Sequence, residues 1–266
     1  MRLAEPIADP AAPLARRNPT AKLAAALVLS LTLLSTLDPV TPAVALALQL
    51  ATVPAFGIRY RALLRRAWPL LAAGAGVMLT LVIFAAERTG RVLVELGPID
   101  ITTEVLNSGL GLALRLLAVA LPGVLVFATT DPTDLADSLV QNARAPARFA
   151  IGALAAFRLV PLLAEEWQSL SLARRARGIE AGRNPMTKLR IFADTAFALL
   201  VGAIRRGTRL ALAMDARGFD SGVPRTYARR QRFGPADAVL IAGAAGLGAA
   251  AVVISVVLGA FRPLLA

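Results

Sequence analysis

Long runs without charge punctuate the chain. Ala67–Ala86 and Ala238–Phe261 carry no charged side chain, and Val105–Thr129 carries one, Arg115, together with Pro122. A bilayer core about 30 Å thick takes about 20 apolar residues in a helix, so each run predicts a membrane span. Two shorter runs, Leu23–Leu37 and Ala43–Gly57, are separated by Asp38-Pro39 and Thr41-Pro42 and predict a tight hairpin of two short helices. Ala43-Val44-Ala45 imitates a signal cleavage site, but the apolar pattern continues past it and more spans follow, which favours retained helices. Residues 1–20 predict a loose tail rich in Pro and Ala, ended by Asn18-Pro19, an N-cap followed by the proline preferred at a first helical position. The expected organisation is that tail, four spans in residues 21–130, a polar helical domain in 131–234, and a fifth span in 235–266.

Composition agrees with an all-α membrane protein. The 266 residues are 57% hydrophobic, with a mean hydropathy of +0.65, above the ordinary soluble range. No cysteine and no histidine occur, which removes disulfides, thiolate chemistry and imidazole as base or metal ligand. The net charge of +12 is distributed by topology and does not point to nucleic acid. Arg2, Arg16, Arg17 and Lys22 precede the first span, and Arg59, Arg61, Arg65 and Arg66 crowd the connection between the second and third. Arg88 and Arg91, on the opposite side, share their loop with Glu87, Glu95, Asp100 and Glu104. The positive-inside rule then gives a cytoplasmic N-terminus in a multi-pass inner-membrane protein. The segment from Thr130 to Gly234 falls inside the cell with 17 of the 29 basic residues.

Within that segment the runs Phe149–Ala164 and Ile191–Ile204 are broken by Arg158, Pro161 and Asp194, and predict cytoplasmic helices lying against the membrane or each other. Asp131-Pro132 starts a short helix to about Asn142. A second runs from about Ala145-Pro146 to Arg177, with Leu163, Trp167 and Leu170 on one face, and Gly178 stops it. Asn184-Pro185 starts a third, with Leu200, Ile204, Ala211 and Met214 on one side and Arg205, Arg206 and Arg209 on another; it reaches Arg217, and Gly218 stops it.

The two long helices therefore end alike, in Ala176-Arg177-Gly178-Ile179-Glu180 and Ala216-Arg217-Gly218-Phe219-Asp220. Bare Ala-Arg pairs recur elsewhere, as at Ala143-Arg144, Ala147-Arg148 and Ala228-Arg229, without a following glycine. Glycine after a helix and a cation in its last turn are what a helix end prefers. Capping alone leaves the alanine, the apolar residue and the acid without a reason. Small neighbours around an extended guanidinium give a second explanation: a helix tip that enters a groove on a partner and grips carboxylates in two-pronged fashion.

The pair of motifs, with Glu165-Glu166, Arg205-Arg206-Gly207-Thr208-Arg209, "TTDPTDLADSL" and "NPTAKL", resembles the transmembrane coupling subunit, or T component, of energy-coupling factor (ECF) transporters for vitamins and trace metals. The resemblance implies a non-catalytic scaffold whose Ala-Arg-Gly helix ends dock two ATP-binding-cassette ATPases, with Glu165, Glu166, Arg205, Arg206 and Arg209 in support. It also implies a membrane-embedded substrate-binding S component. ATP and Mg would reside on the ATPases; no Walker-type phosphate loop occurs in this sequence. The last span places Ala242, Gly246 and Ala250 at intervals of four, a spacing that lets helices approach closely, either the S component or this subunit itself. Arg115 in the fourth span is open to two readings, a functional intramembrane charge or internal pairing and snorkelling. Two other readings compete: a conventional ABC importer permease forming the substrate path, against which stand two coupling motifs in one copy, and a lipid-binding membrane enzyme or channel.

Overall fold

The computed structural model describes residues 12–36, 38–84, 91–96, 99–179, 182, 184–219, 221, 226–261 and 263. Eight α-helices and one two-stranded hairpin make up the described elements. They divide into two compact units, residues 1–144 with 231–266, and residues 145–230.

The first unit holds α1 (Pro19–Leu34), α2 (Val40–Thr52) with a 3-10 turn at Pro54–Phe56, α3 (Tyr60–Phe84), α4 (Thr103–Thr129), α5 (Pro132–Asn142) and α8 (Pro235–Val257). Strands β1 (Val92–Leu96) and β2 (Ile99–Thr102) pair antiparallel between α3 and α4, an addition to the expected all-α layout. Caps mark the starts. Asn18 accepts from the Thr20 backbone N–H at 2.9 Å, Thr102 from Val105 at 3.4 Å and Asp131 from Thr133 at 2.7 Å, each satisfying an N–H that the first turn leaves orphaned.

The short helices α1 and α2 do not pack along each other as a tight hairpin. Each lies instead against α4 and α8. The reason lies in their connection: Asp38, 1% exposed, accepts from the Thr41 backbone N–H at 2.6 Å and from Ser255 Oγ of α8 at 2.7 Å, so the turn is pinned to α8. Arg115 reaches the same place, its Nη2 donating to the Asp38 carbonyl at 3.5 Å, which makes its pairing internal. One apolar cluster joins Leu29, Leu33, Ala45, Ala118 and Ala251. A second joins Leu121 to Leu14, Val53, Ile58 and Leu63. The expected loose tail is thus packed from Ala12 onward: Ala12 and Leu14 are buried, and Ala12 lies where a Cβ on Gly57 (φ +74°) would collide at 2.8 Å. Residues 1–11 lie outside the described residues.

The second unit is built on α6 (Ala147–Ala176) and α7 (Pro185–Ala216). Among the described residues four helices, α3, α4, α6 and α8, are long and apolar enough to cross a membrane. For α6 this revises the expectation that its apolar run is too short and interrupted to span, while the helix expected from about Ala145-Pro146 to Arg177 is present. The helix continues through Arg158 and Pro161; a proline forfeits one intrahelical hydrogen bond without having to end a helix whose other turns hold. Nor is α6 cleanly amphipathic: Phe149, Phe157, Val160, Leu162 and Leu172 are all exposed, so its apolar residues surround it.

Candidate coupling motifs at two helix ends

Contacts along α6 and α7 run in opposite senses. Near the end of α6, Arg174 Nη1 donates to the Ile191 carbonyl at 3.0 Å. Two turns earlier, Trp167 meets the Phe192 ring with centroids 5.2 Å apart, and Glu166 forms an ion pair with Arg206. Gly202 makes room for that pair: a Cβ there would stand 3.3 Å from Arg206 Nη2 and 3.8 Å from Glu166 Oε1. Of the five supporting residues, the structure therefore joins Glu166 and Arg206, both half-buried, and leaves Glu165, Arg205 and Arg209 exposed.

The two Ala-Arg-Gly ends have the same backbone. Arg177 takes φ −91°, ψ 11° and Arg217 φ −90°, ψ 9°, followed by Gly178 at φ +71° and Gly218 at φ +67°. Gly178 N–H donates to the Arg175 carbonyl and Gly218 N–H to that of Asp215, both at 2.9 Å. Ile179 N–H reaches the Arg174 carbonyl and Phe219 N–H that of Met214, both at 3.0 Å. This paired pattern is the Schellman motif, in which the residue after the left-handed glycine closes the longer bond and is commonly apolar. The cap therefore accounts for Ile179 and Phe219 as well as for the glycines, contrary to the expectation that capping leaves the apolar position unexplained. Glu180 and Asp220, the acids of the repeat, lie outside the described residues.

What the cap does not use is the arginine. Ala176, Arg177 and Gly178 are exposed, as are Ala216, Arg217 and Gly218. Neither guanidinium has a side-chain partner among the described residues, and no atom stands within 4 Å of a Cβ built on Gly178. Each cation sits at the negative end of its helix dipole, which stabilises it there without consuming its donors. Because Arg174 lies beside Ile191, the α6 tip is near the start of α7, and 26 residues separate Ile191 from Arg217. At 1.5 Å per residue the two arginine tips are about 39 Å apart along α7.

In the first unit, two further motifs converge on one polar cluster that the sequence did not reveal. Ser138 Oγ of α5 donates to Asn18 Oδ1 at 2.6 Å and lies 2.6 Å from Thr20 Oγ1. Asn18 N–H donates to Asp237 Oδ1 of α8 at 3.0 Å, and Asn18 Nδ2 to the Arg232 carbonyl at 3.2 Å. Gln141 Oε1 accepts from Gln231 N–H at 2.9 Å. "NPTAKL" and "TTDPTDLADSL" thus knot together where the chain leaves for residues 145–230 and where it returns. Lys22, in the same motif, donates to the Thr129 carbonyl at 2.9 Å and so caps the C-terminus of α4. In α8 the packed small residues are Gly248 and Ala251; Ala242 and Gly246 are exposed and Ala250 half-buried, so the first two are not spent on internal packing.

These features define a helical membrane protein that presents a helix pair with two equivalent arginine-tipped ends. The sequence matches the family described as cobalt transport protein (CbiQ) over residues 10–228. The chain belongs to that family, and with it to the T components of ECF transporters. It is 34% identical to the energy-coupling factor transporter transmembrane protein EcfT of Thermosediminibacter oceani over 60% of this chain and 64% of that protein. With EcfT of Staphylococcus aureus the identity is 30%, over 57% and 60%. The chain thus spans somewhat less than two thirds of these relatives' length. The putative ABC transporter ATP-binding protein BL0043 of Bifidobacterium longum is 27% identical over 85% of this chain and 30% of its own.

Proposed function

We propose that this chain is the non-catalytic scaffold of an ECF-type importer, coupling ATP binding and hydrolysis by two cytoplasmic ABC ATPases to a membrane-embedded S component that carries a vitamin or trace metal ion. The observation that carries this reading is the pair of identical, exposed arginine ends about 39 Å apart along α7. One partner with one groove needs one tip; two tips this far apart suit two ATPase subunits. Arg177 and Arg217 enter those grooves, Ala176, Gly178, Ala216 and Gly218 clear the way, and the Glu166–Arg206 pair braces the two helices against each other. ATP and Mg belong to the ATPases. The similarity to the Bifidobacterium ABC transporter ATP-binding protein, which is far longer than the aligned region, supports an ATP-binding partner.

In this reading the N-terminus and residues 131–234 are cytoplasmic, following the basic residues. The exposed apolar side chains of α6 and α7, among them Phe149, Phe157 and Phe197, then face the membrane surface and the S component, as do Ala242 and Gly246 of α8. Docked guanidiniums would be desolvated, and stripping one partner from a buried ion pair costs about 3–5 kcal/mol. Arg177→Ala and Arg217→Ala should each release one ATPase, and the double variant both, with the protein still inserted in the membrane. Normal ATPase co-purification and normal uptake by the double variant would overturn the proposal.

A further inference from the structure

We propose that a cavity of about 400 Å³ between α1, α2, α4 and α8 holds one acyl chain of an anionic glycerophospholipid, with its phosphate at Arg17. The volume falls within the usual range of ligand pockets, about 300–1,000 Å³. Its wall is mostly hydrocarbon, with Leu29 from α1, Leu125 from α4, and Leu240, Ala244 and Leu247 from α8. Along α8 it extends from Ala236 to Leu247, about 16 Å of helix.

Charge is confined to one end, where the start of α1, the end of α4 and the start of α8 come together, and Gln49 and Thr52 of α2 are the other polar side chains in the lining. Two cations line the cavity there. Lys22 is engaged: its Nζ donates to the Thr129 carbonyl, to Thr130 Oγ1 at 3.3 Å and to the Ala15 carbonyl at 3.4 Å. Arg17 is half-buried, and its guanidinium has no partner among the described residues. A partly desolvated cation is costly until an anion meets it. An apolar cavity gains nothing from water, which needs polar partners of its own, and the helices around this one are those of a membrane protein, bathed in lipid.

An occupant that satisfies both ends has a long hydrocarbon chain and a net negative head. Phosphatidylglycerol has that form. Phosphatidylcholine does not, because its choline neutralises its own phosphate. The site requires neither ATPase nor S component, so its test stands apart from that of the coupling function.

Native mass spectrometry of the full chain, titrated with each lipid in mild detergent, reads the occupancy directly. Wild type should retain one phosphatidylglycerol in preference to phosphatidylcholine. Arg17→Gln should reduce that preference about fivefold, the contribution of a single basic residue at an anionic lipid head. Ala26→Leu and the bulkier Ala244→Trp fill the cavity and should lose bound lipid of both kinds, with thermal midpoints identifying which variants are folded. Should Ala244→Trp not fold, Ala26→Leu decides the matter. Equal retention of the two lipids by wild type, or undiminished lipid on folded Ala26→Leu, would overturn the proposal.

Discussion

Replacing Ser138 by alanine removes one hydroxyl that ties α5 to the start of α1. Ser138 is fully buried, and its Oγ contacts Asn18 Oδ1 and Thr20 Oγ1 at 2.6 Å and Thr20 N and Asn142 Nδ2 at 3.2 Å. The losses are unequal. Asn18 Oδ1 keeps the Thr20 N–H at 2.9 Å, while Thr20 and Asn142 are half-buried and recover water. A net hydrogen bond contributes about 0.5–1.5 kcal/mol, and a buried group left unpaired costs about 1–3. With the buried acceptor still bonded, the cost should be about 2 kcal/mol. For a chain of this size, 1 kcal/mol corresponds to about 2–4 °C, so the apparent melting temperature should fall by about 4–8 °C. Size-exclusion recovery after heating in one detergent at one heating rate measures it, because membrane proteins commonly unfold irreversibly and such values depend on rate. Ser169→Ala is the control, since that exposed hydroxyl donates to its own helix, to the Glu165 carbonyl at 3.1 Å. A Ser138→Ala shift no larger than the control's would refute the view that Ser138 ties α5 to the start of α1.

Two glycines of α8 make a contrasting pair: a Cβ on Gly248 would stand 3.0–3.2 Å from Thr32 side-chain atoms of α1, whereas one on Gly246 meets nothing within 4 Å. Gly248→Leu should therefore lower the same melting temperature by several degrees, at about 1–3 kcal/mol for overpacking, and Gly246→Leu should leave it unchanged while weakening co-purification of the S component. At the helix tips, Gly218→Ala should cost about 1–2 kcal/mol of local helix-end stability for a left-handed residue with a Cβ, and Gly218→Asn less. Hydrogen exchange at the Phe219 amide reports both, and equal protection in the two variants would refute the role assigned to φ.

Legibility in the sequence followed the range of the interactions. Helix caps act over two to five residues, so Asn18, Asp131, Asn184, Gly178 and Gly218 were each placed from sequence alone, and the ends of α6 and α7 fall within one residue of expectation. Uncharged runs likewise marked α3, α4 and α8, although α3 begins earlier than its apolar core because Arg61, Arg65 and Arg66 are tolerated in its first turns. The repeated Ala-Arg-Gly was visible as text. Its cap geometry is only half legible there, because the residue types do not show that the amide of the apolar residue closes the longer bond.

Other assignments belong to tertiary structure alone. Nothing local tells Gly248 from Gly246, since each is a small residue in an uncharged helix, and only the approach of Thr32 from α1 separates them. The Asp38–Ser255 contact spans 217 positions and the Asn18–Asp237 contact 219; no periodicity encodes such pairs, which arise when α4 and α8 bring distant turns together. For the same reason the sequence showed Arg17 as one of several basic residues before a span, and the fold alone left it half-buried at the mouth of an apolar cavity. Hydrophobic pattern and capping chemistry determine where helices start, stop and enter the membrane, because those energies are local. Which faces meet, and which cations are left without partners, is decided by packing among all the helices at once.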